Sequence, residues 1–170
     1  SVTQDGASIV FGAVGHSFAV PLPDWLSGAE RLAPDVLGLV ESNTYSDPLQ
    51  AFVEFFPKGQ SIDSYTTTYA ARVTREAGRS LEDYRRATIV GYSQACLPEL
   101  TGAFTFGPDT AETLAALGFV CGAFRDSTDL RGQGQVVVAV YRKTETGVAM
   151  LYQEWNGPVF DPADPTTWPV

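Results

Sequence analysis

Residues 51–78 read AFVEFFPKGQSIDSYTTTYAARVTREAG, two apolar runs separated by PKGQS. The first run is short, aromatic and β-branched and predicts a buried strand, which ends where Pro57 withholds a donor and Gly59 permits a turn. Ser61 suits a helix N-cap. Ile62, Tyr65, Tyr69 and Val73 then follow at helical spacing, and Gly78 closes the stretch as a C′ residue. Strand, turn and a helix folded back over the strand are the expected order. Thr66-Thr67-Thr68 is the part of the second run that favours strand, because β-branched side chains lose rotamer freedom in a helix.

Outward from this stretch the elements are mostly strands. Residues 7–21 carry two apolar runs separated by Gly12 and Gly15, a strand or tight hairpin that stops at Pro21. A connector with one helical turn follows, then a strand over 36–42 and a turn-rich segment over 43–48. Leu81, Tyr84, Thr88, Tyr92 and Ala95 recur every three or four residues behind Ser80, which predicts a second helix over 81–95 that Pro98 forbids from continuing. Strands are expected over 101–106 and 118–124, with a short helix over 110–117 capped by Asp109. Residues 136–142 and 148–155, joined by a turn at 143–147, predict a hairpin.

The chain has 170 residues and is expected to form one α+β domain over residues 1–157, with a Pro-rich extended tail over 158–170 held on it by Phe160 and Trp168. A net charge of −9 and a pI near 4.4 argue against nucleic acid and anionic membrane surfaces as partners. Five of the eleven basic residues, Arg72, Arg75, Arg79, Arg85 and Arg86, cluster among Glu76, Glu82 and Asp83, as on an internally paired helix surface, with a small patch for an acidic partner as the alternative. No apolar run approaches the ~18 residues of a membrane helix. The start at Ser1 suits a trimmed product and is compatible with a removed export signal. Cys96 and Cys121 suit a single disulfide of a periplasmic or secreted protein, with buried free thiols as the alternative.

Gly91-Tyr92-Ser93-Gln94-Ala95, after an apolar ATIV, looks like the nucleophile elbow of cutinase-like esterases. That chemistry needs a histidine after the serine. The one histidine, His16, precedes it, and Pro98 interrupts the helix that should run on behind the elbow. Ser93 is therefore expected to be an ordinary residue late in the second helix, with a serine esterase using Ser93 and His16 as the alternative. His16, beside Gly15 and Ser17, reads as a satisfied structural histidine. Gly132-Gln133-Gly134 lacks the helix and lysine of a phosphate cradle. Asp161 and Asp164 are too few for calcium, and Glu54 is expected to face out or meet an arginine. No metal or cofactor is expected. Most aromatic residues are assigned to the core, while Trp25, Phe55, Tyr65, Tyr69, Trp155 and Trp168 are candidates to line a groove.

The segment FVEFFPKGQSIDSYTTTYAARV, the early FAVPLPDWL, the two cysteines and the closing LYQEWNG together resemble small exported bacterial proteins related to the PsbP/Mog-like fold group. That resemblance implies an antiparallel sheet flanked by helices, an αβα sandwich. It implies no catalytic residues and a binding or assembly role toward an unknown protein or small ligand.

Overall fold

Alternation between half-buried and exposed side chains begins at the N-terminus of the computed structural model, which describes residues 1–107, 109, 110 and 112–170. Val2–Asp5 (β1), Ser8–Ala13 (β2) and His16–Pro21 (β3) pair antiparallel in one three-stranded sheet. Ile9, Phe11 and Val20 turn inward, and Phe11 meets Phe18 edge to face at 5.8 Å between ring centres. Ala13 pairs with His16, so Val14-Gly15 is a two-residue turn. Both residues have positive φ, 51° and 76°, as the twist of a two-residue hairpin demands. Val14 takes a left-handed conformation that β-branched side chains seldom adopt.

Helix Gly28–Arg31 (α1) is the single turn expected of the connector, opened by a capping box between Ser27 and Glu30. Val40–Ser46 (β4), Gln50–Pro57 (β5) and Thr67–Thr74 (β6) then form an antiparallel meander. Its β4–β5 corner is held by Asp47 Oδ1, which accepts from the N–H groups of Leu49 and Gln50 at 2.7 and 2.9 Å.

The helix expected over residues 61–78 is absent. β6 occupies its second half, and Ser61 bridges Ser64 in a loop instead of capping a helix. The misleading signal was spacing by four: Tyr65, Tyr69 and Val73 share a helix face, but an even interval also keeps residues on one face of a strand. The Thr66–Thr68 run and the pairing of Val53 with Ala71 and Phe55 with Tyr69 decide for strand. Ala51, Val53 and Phe55 of β5 and Ala71 and Val73 of β6 are buried in one cluster with Ile9, Phe11 and Val20. The valine, isoleucine and phenylalanine side chains among them contribute about 2 kcal/mol each when fully buried.

Leu81–Ala95 (α2) has the bounds expected from periodicity. Ser80 Oγ accepts from the Asp83 N–H at 3.1 Å, and Leu81 and Tyr84 are the buried residues. Thr101–Phe104 (β7), Leu114–Cys121 (β8), Gln133–Lys143 (β9) and Val148–Pro158 (β10) complete the chain. The short helix expected over 110–117 is a second correction. Its Ala111 lies outside the described residues, Leu114 to Leu117 belong to β8, and Asp109 makes an ion pair with Arg85. All eight residues of β8, from Leu114 on, are buried or half-buried, so the apolar run is a strand covered on both faces.

The second sheet has seven strands in the order β4-β5-β6-β10-β9-β8-β7. An αβα sandwich is thereby overturned: the protein is mostly antiparallel β, and among the described residues α2 is the one α-helix longer than a single turn. The chain divides into two compact units, Ser1–Gly78 with Thr144–Leu151, and Arg79–Lys143 with Tyr152–Val170. In the second unit Cys96 and Cys121 are joined in a disulfide, packed among Phe119, Phe124 and Val137. Phe160 is buried against Gly122 and Gly134, where an added Cβ at Gly134 would lie 2.5 Å from its ring. Trp168 packs on Phe104 at 5.5 Å and donates Nε1–H to the Pro162 carbonyl.

Candidate functional site

β4 is the terminal strand of its sheet, and its sequence VESNTYS explains why that edge is open. It was expected to stop at Ser42, since Asn43, Ser46, Asp47 and Pro48 are turn formers. It continues to Ser46 because residues 40–46 pair without interruption against Pro57 back to Ala51. The Asp47 N–H donates to the Gln50 carbonyl at 2.9 Å, which makes this a hydrogen-bonded pair. Alternation along an antiparallel ladder then turns the backbone groups of Tyr45, Asn43 and Glu41 toward β5 and those of Ser46, Thr44 and Ser42 outward. Ser42, Thr44 and Ser46 are exposed, and among the described residues no strand pairs with β4 on that side.

Glu41, Asn43 and Tyr45 share one face of β4 with Asp47 at its end. Tyr45 stacks on Phe52 at 5.5 Å, and the Arg72 guanidinium lies 5.2 Å from the Phe52 ring centre, a ladder of aromatic, aromatic and cation across three strands. Arg72 Nε is buried without a hydrogen-bond partner. Asn43 Nδ2 donates to Glu54 at 2.9 Å, so Glu54 is a largely buried acceptor. The Tyr45 hydroxyl donates to Asp47 at 2.8 Å. The Leu49 N–H first, then Tyr45 and the Gln50 N–H, hold the Asp47 carboxyl below its usual range, so it stays anionic. Lys58 pairs with Glu41 at 3.3 Å, an exposed contact of small energetic weight. From sequence Tyr45 carries no assignment, Phe52 is assigned to the core, and Arg72 is placed in a basic cluster on a helix surface, whereas it lies on β6. The signal available was the polar and aromatic alternation of SNTYS, which the turn formers masked.

Ser93 lies near the end of α2, where its carbonyl accepts from the Cys96 N–H at 3.2 Å. The residues before it are helical, so it does not stand on a strand-to-helix corner. His16 engages Val14 and Thr144. Its Nδ1 lies 3.1 Å from the Val14 carbonyl, an acceptor only, so in the neutral ring Nδ1–H donates there and Nε2 accepts from the Thr144 hydroxyl at 2.7 Å. The Gly147 N–H donates to the same hydroxyl at 2.9 Å. His16 thus ties the β2–β3 turn to the β9–β10 turn.

The six residues expected to line a groove fall into separate clusters. Phe55 is core, with Trp25 and Tyr69 half-buried against it. Tyr65 packs on Phe56 at 5.3 Å. Trp155 and Trp168 pack on Val120, Val136 and Phe160. A depression of about 450 Å³ beside α1 is lined by Gln4, Arg31 and Pro34, among others. Its polar groups are spent on the fold: Arg31 donates to the Leu26 and Pro23 carbonyls, and Gln4 accepts from the Val36 N–H. Asp161 and Asp164 cap turns of the tail by accepting from Ala163 and Thr166. Among the described residues no helix is long and apolar enough to cross a membrane. No family profile and no curated protein matches the chain.

Proposed function

We propose that this chain is a non-enzymatic binding protein of an oxidising compartment, periplasmic or secreted, that recognises a protein partner through the first unit. The observation that carries this is the open edge of β4 with its aromatic and cationic ladder. Exposed sheet edges are commonly blunted by lysine, proline or a bulge, because unpaired N–H and C=O groups recruit other strands. β4 contains no lysine or proline, and its register is unbroken. The Cys96–Cys121 bond supports the compartment. Selection of the whole protein against a random displayed peptide library is the test. Saturable binders that protect β4 amides from hydrogen exchange are the expected result. An empty selection, or turnover that depends on a named residue such as Ser93 in a fluorophosphonate assay, would overturn it.

A further inference from the structure

We propose, resting on the binding role above, that the occupant of the β4 edge is an extended basic polypeptide segment that adds as a further strand to the sheet. Three observations choose this occupant. The outward N–H and C=O groups of Ser42, Thr44 and Ser46 repeat every second residue, which is the spacing an added strand satisfies and a small molecule does not. The side chains flanking that edge divide by face. Ser42, Thr44 and Ser46 are small and polar, whereas Glu41 and Asp47 place carboxylates at the two ends of the other face, with Tyr45 between them. An incoming strand that alternates basic and small residues sets its cations against Asp47 and over the exposed ring of Tyr45, and at Glu41 it exchanges with the exposed Lys58 pair. Finally, the chain as a whole carries −9, which favours a cationic partner at long range.

A second copy of this chain fits the same edge poorly. Antiparallel self-pairing that uses all three free residues centres on Thr44 opposite itself. Since Glu41 and Asp47 lie three residues either side of Thr44, each Glu41 then faces Asp47 of the second copy. Like charges directly opposite across a strand pair are destabilising.

Fluorescence anisotropy of the full chain with a labelled peptide of alternating lysine and threonine tests the inference, with a glutamate-for-lysine peptide as the comparison. Saturable binding by the lysine peptide, weakened as sodium chloride rises from about 50 to about 500 mM, is expected. Thr44→Pro removes an outward N–H at an edge position that tolerates proline and should weaken binding about tenfold or more, while Thr44→Val, which keeps the N–H, should change it less than about twofold. N-methylation of alternate peptide nitrogens gives a readout that leaves the protein untouched. One phase of methylation should abolish binding and the other should be tolerated, because only alternate donors of an added strand face its neighbour. Equal binding by both phases, or equal binding by the glutamate peptide, would overturn the inference. So would a Thr44→Pro-sensitive dimer in sedimentation, which would make a second copy the occupant. If the lysine peptide fails while the random library still yields binders, the basic-strand inference falls and the binding role stands; if both fail, both fall.

Discussion

Gly147 has no room for a side chain: an added Cβ would lie 1.9 Å from the Thr74 carbonyl oxygen and 2.7 Å from the Glu76 nitrogen. Both neighbours are backbone, so relief requires strands or turns to move. Gly147→Ala is expected to destabilise by about 3 kcal/mol, read as a lowered urea midpoint. Gly91 is the opposite case. It sits inside α2 with nothing within 4 Å of an added Cβ, so Gly91→Ala should raise stability by about 1 kcal/mol through helix propensity alone. The same two substitutions look alike in the sequence. Tyr69 carries a pH signature of its environment, its hydroxyl pushed up to about 12 by burial first and by the Asp24 carboxylate second. The folded state holds this proton more tightly than the unfolded chain does. The resulting stability is complete below the ordinary tyrosine range near pH ~10 and falls as pH rises from there to about 12. Ultraviolet titration should show Tyr69 ionising near pH 12, as a step that the Tyr69→Phe variant lacks.

At the scale of elements, α2 is the piece whose local chemistry agrees at every level. Ser80 caps it, Glu82 and Asp83 lie in its first turn where negative charge favours the dipole, and its bounds follow from periodicity and Pro98. Ser80→Ala leaves the Asp83 N–H without its acceptor and should cost about 1 kcal/mol in urea unfolding followed by circular dichroism. β6 shows the opposite behaviour. Tyr65, Tyr69 and Val73, four apart, fit a helix stripe and a strand face equally well, and local spacing cannot separate them. Thr68 illustrates what separates them in the fold: it is buried and donates its hydroxyl to the Phe55 carbonyl at 3.0 Å, an interaction with a neighbouring strand thirteen residues away. β4 runs past the end that its sequence predicts for a related reason. Asn43, Ser46 and Asp47 are turn formers by themselves, yet two of them lie within an unbroken register with β5.

For the molecule as a whole, the disulfide is a covalent contribution to stability that acts through the unfolded chain. Cys96 and Cys121 are 25 residues apart with Cα atoms at 5.7 Å, and closing such a loop in the unfolded chain is worth about 3 kcal/mol. Reduction should lower stability by that amount in chemical denaturation, and a thiol assay in denaturant without reductant should find no free thiol among the two cysteines. The closing hairpin, α2 and the N-terminal hairpin were legible in the sequence, because each is specified by neighbours within a few residues: a cap, a proline, a two-residue turn, an alternation. What only the tertiary structure decided were the parts whose partners are remote. The run around Thr67–Thr74 became a strand because β5 offered it a ladder, residues 114–117 became a strand because they are covered on both faces, and His16 found Thr144 rather than a serine. The open edge of β4 belongs to the same group. Whether a strand's outward groups are paired depends on its place in the sheet order, and pairing between strands is set by hydrogen bonds and burial across long sequence separations, which no local pattern encodes.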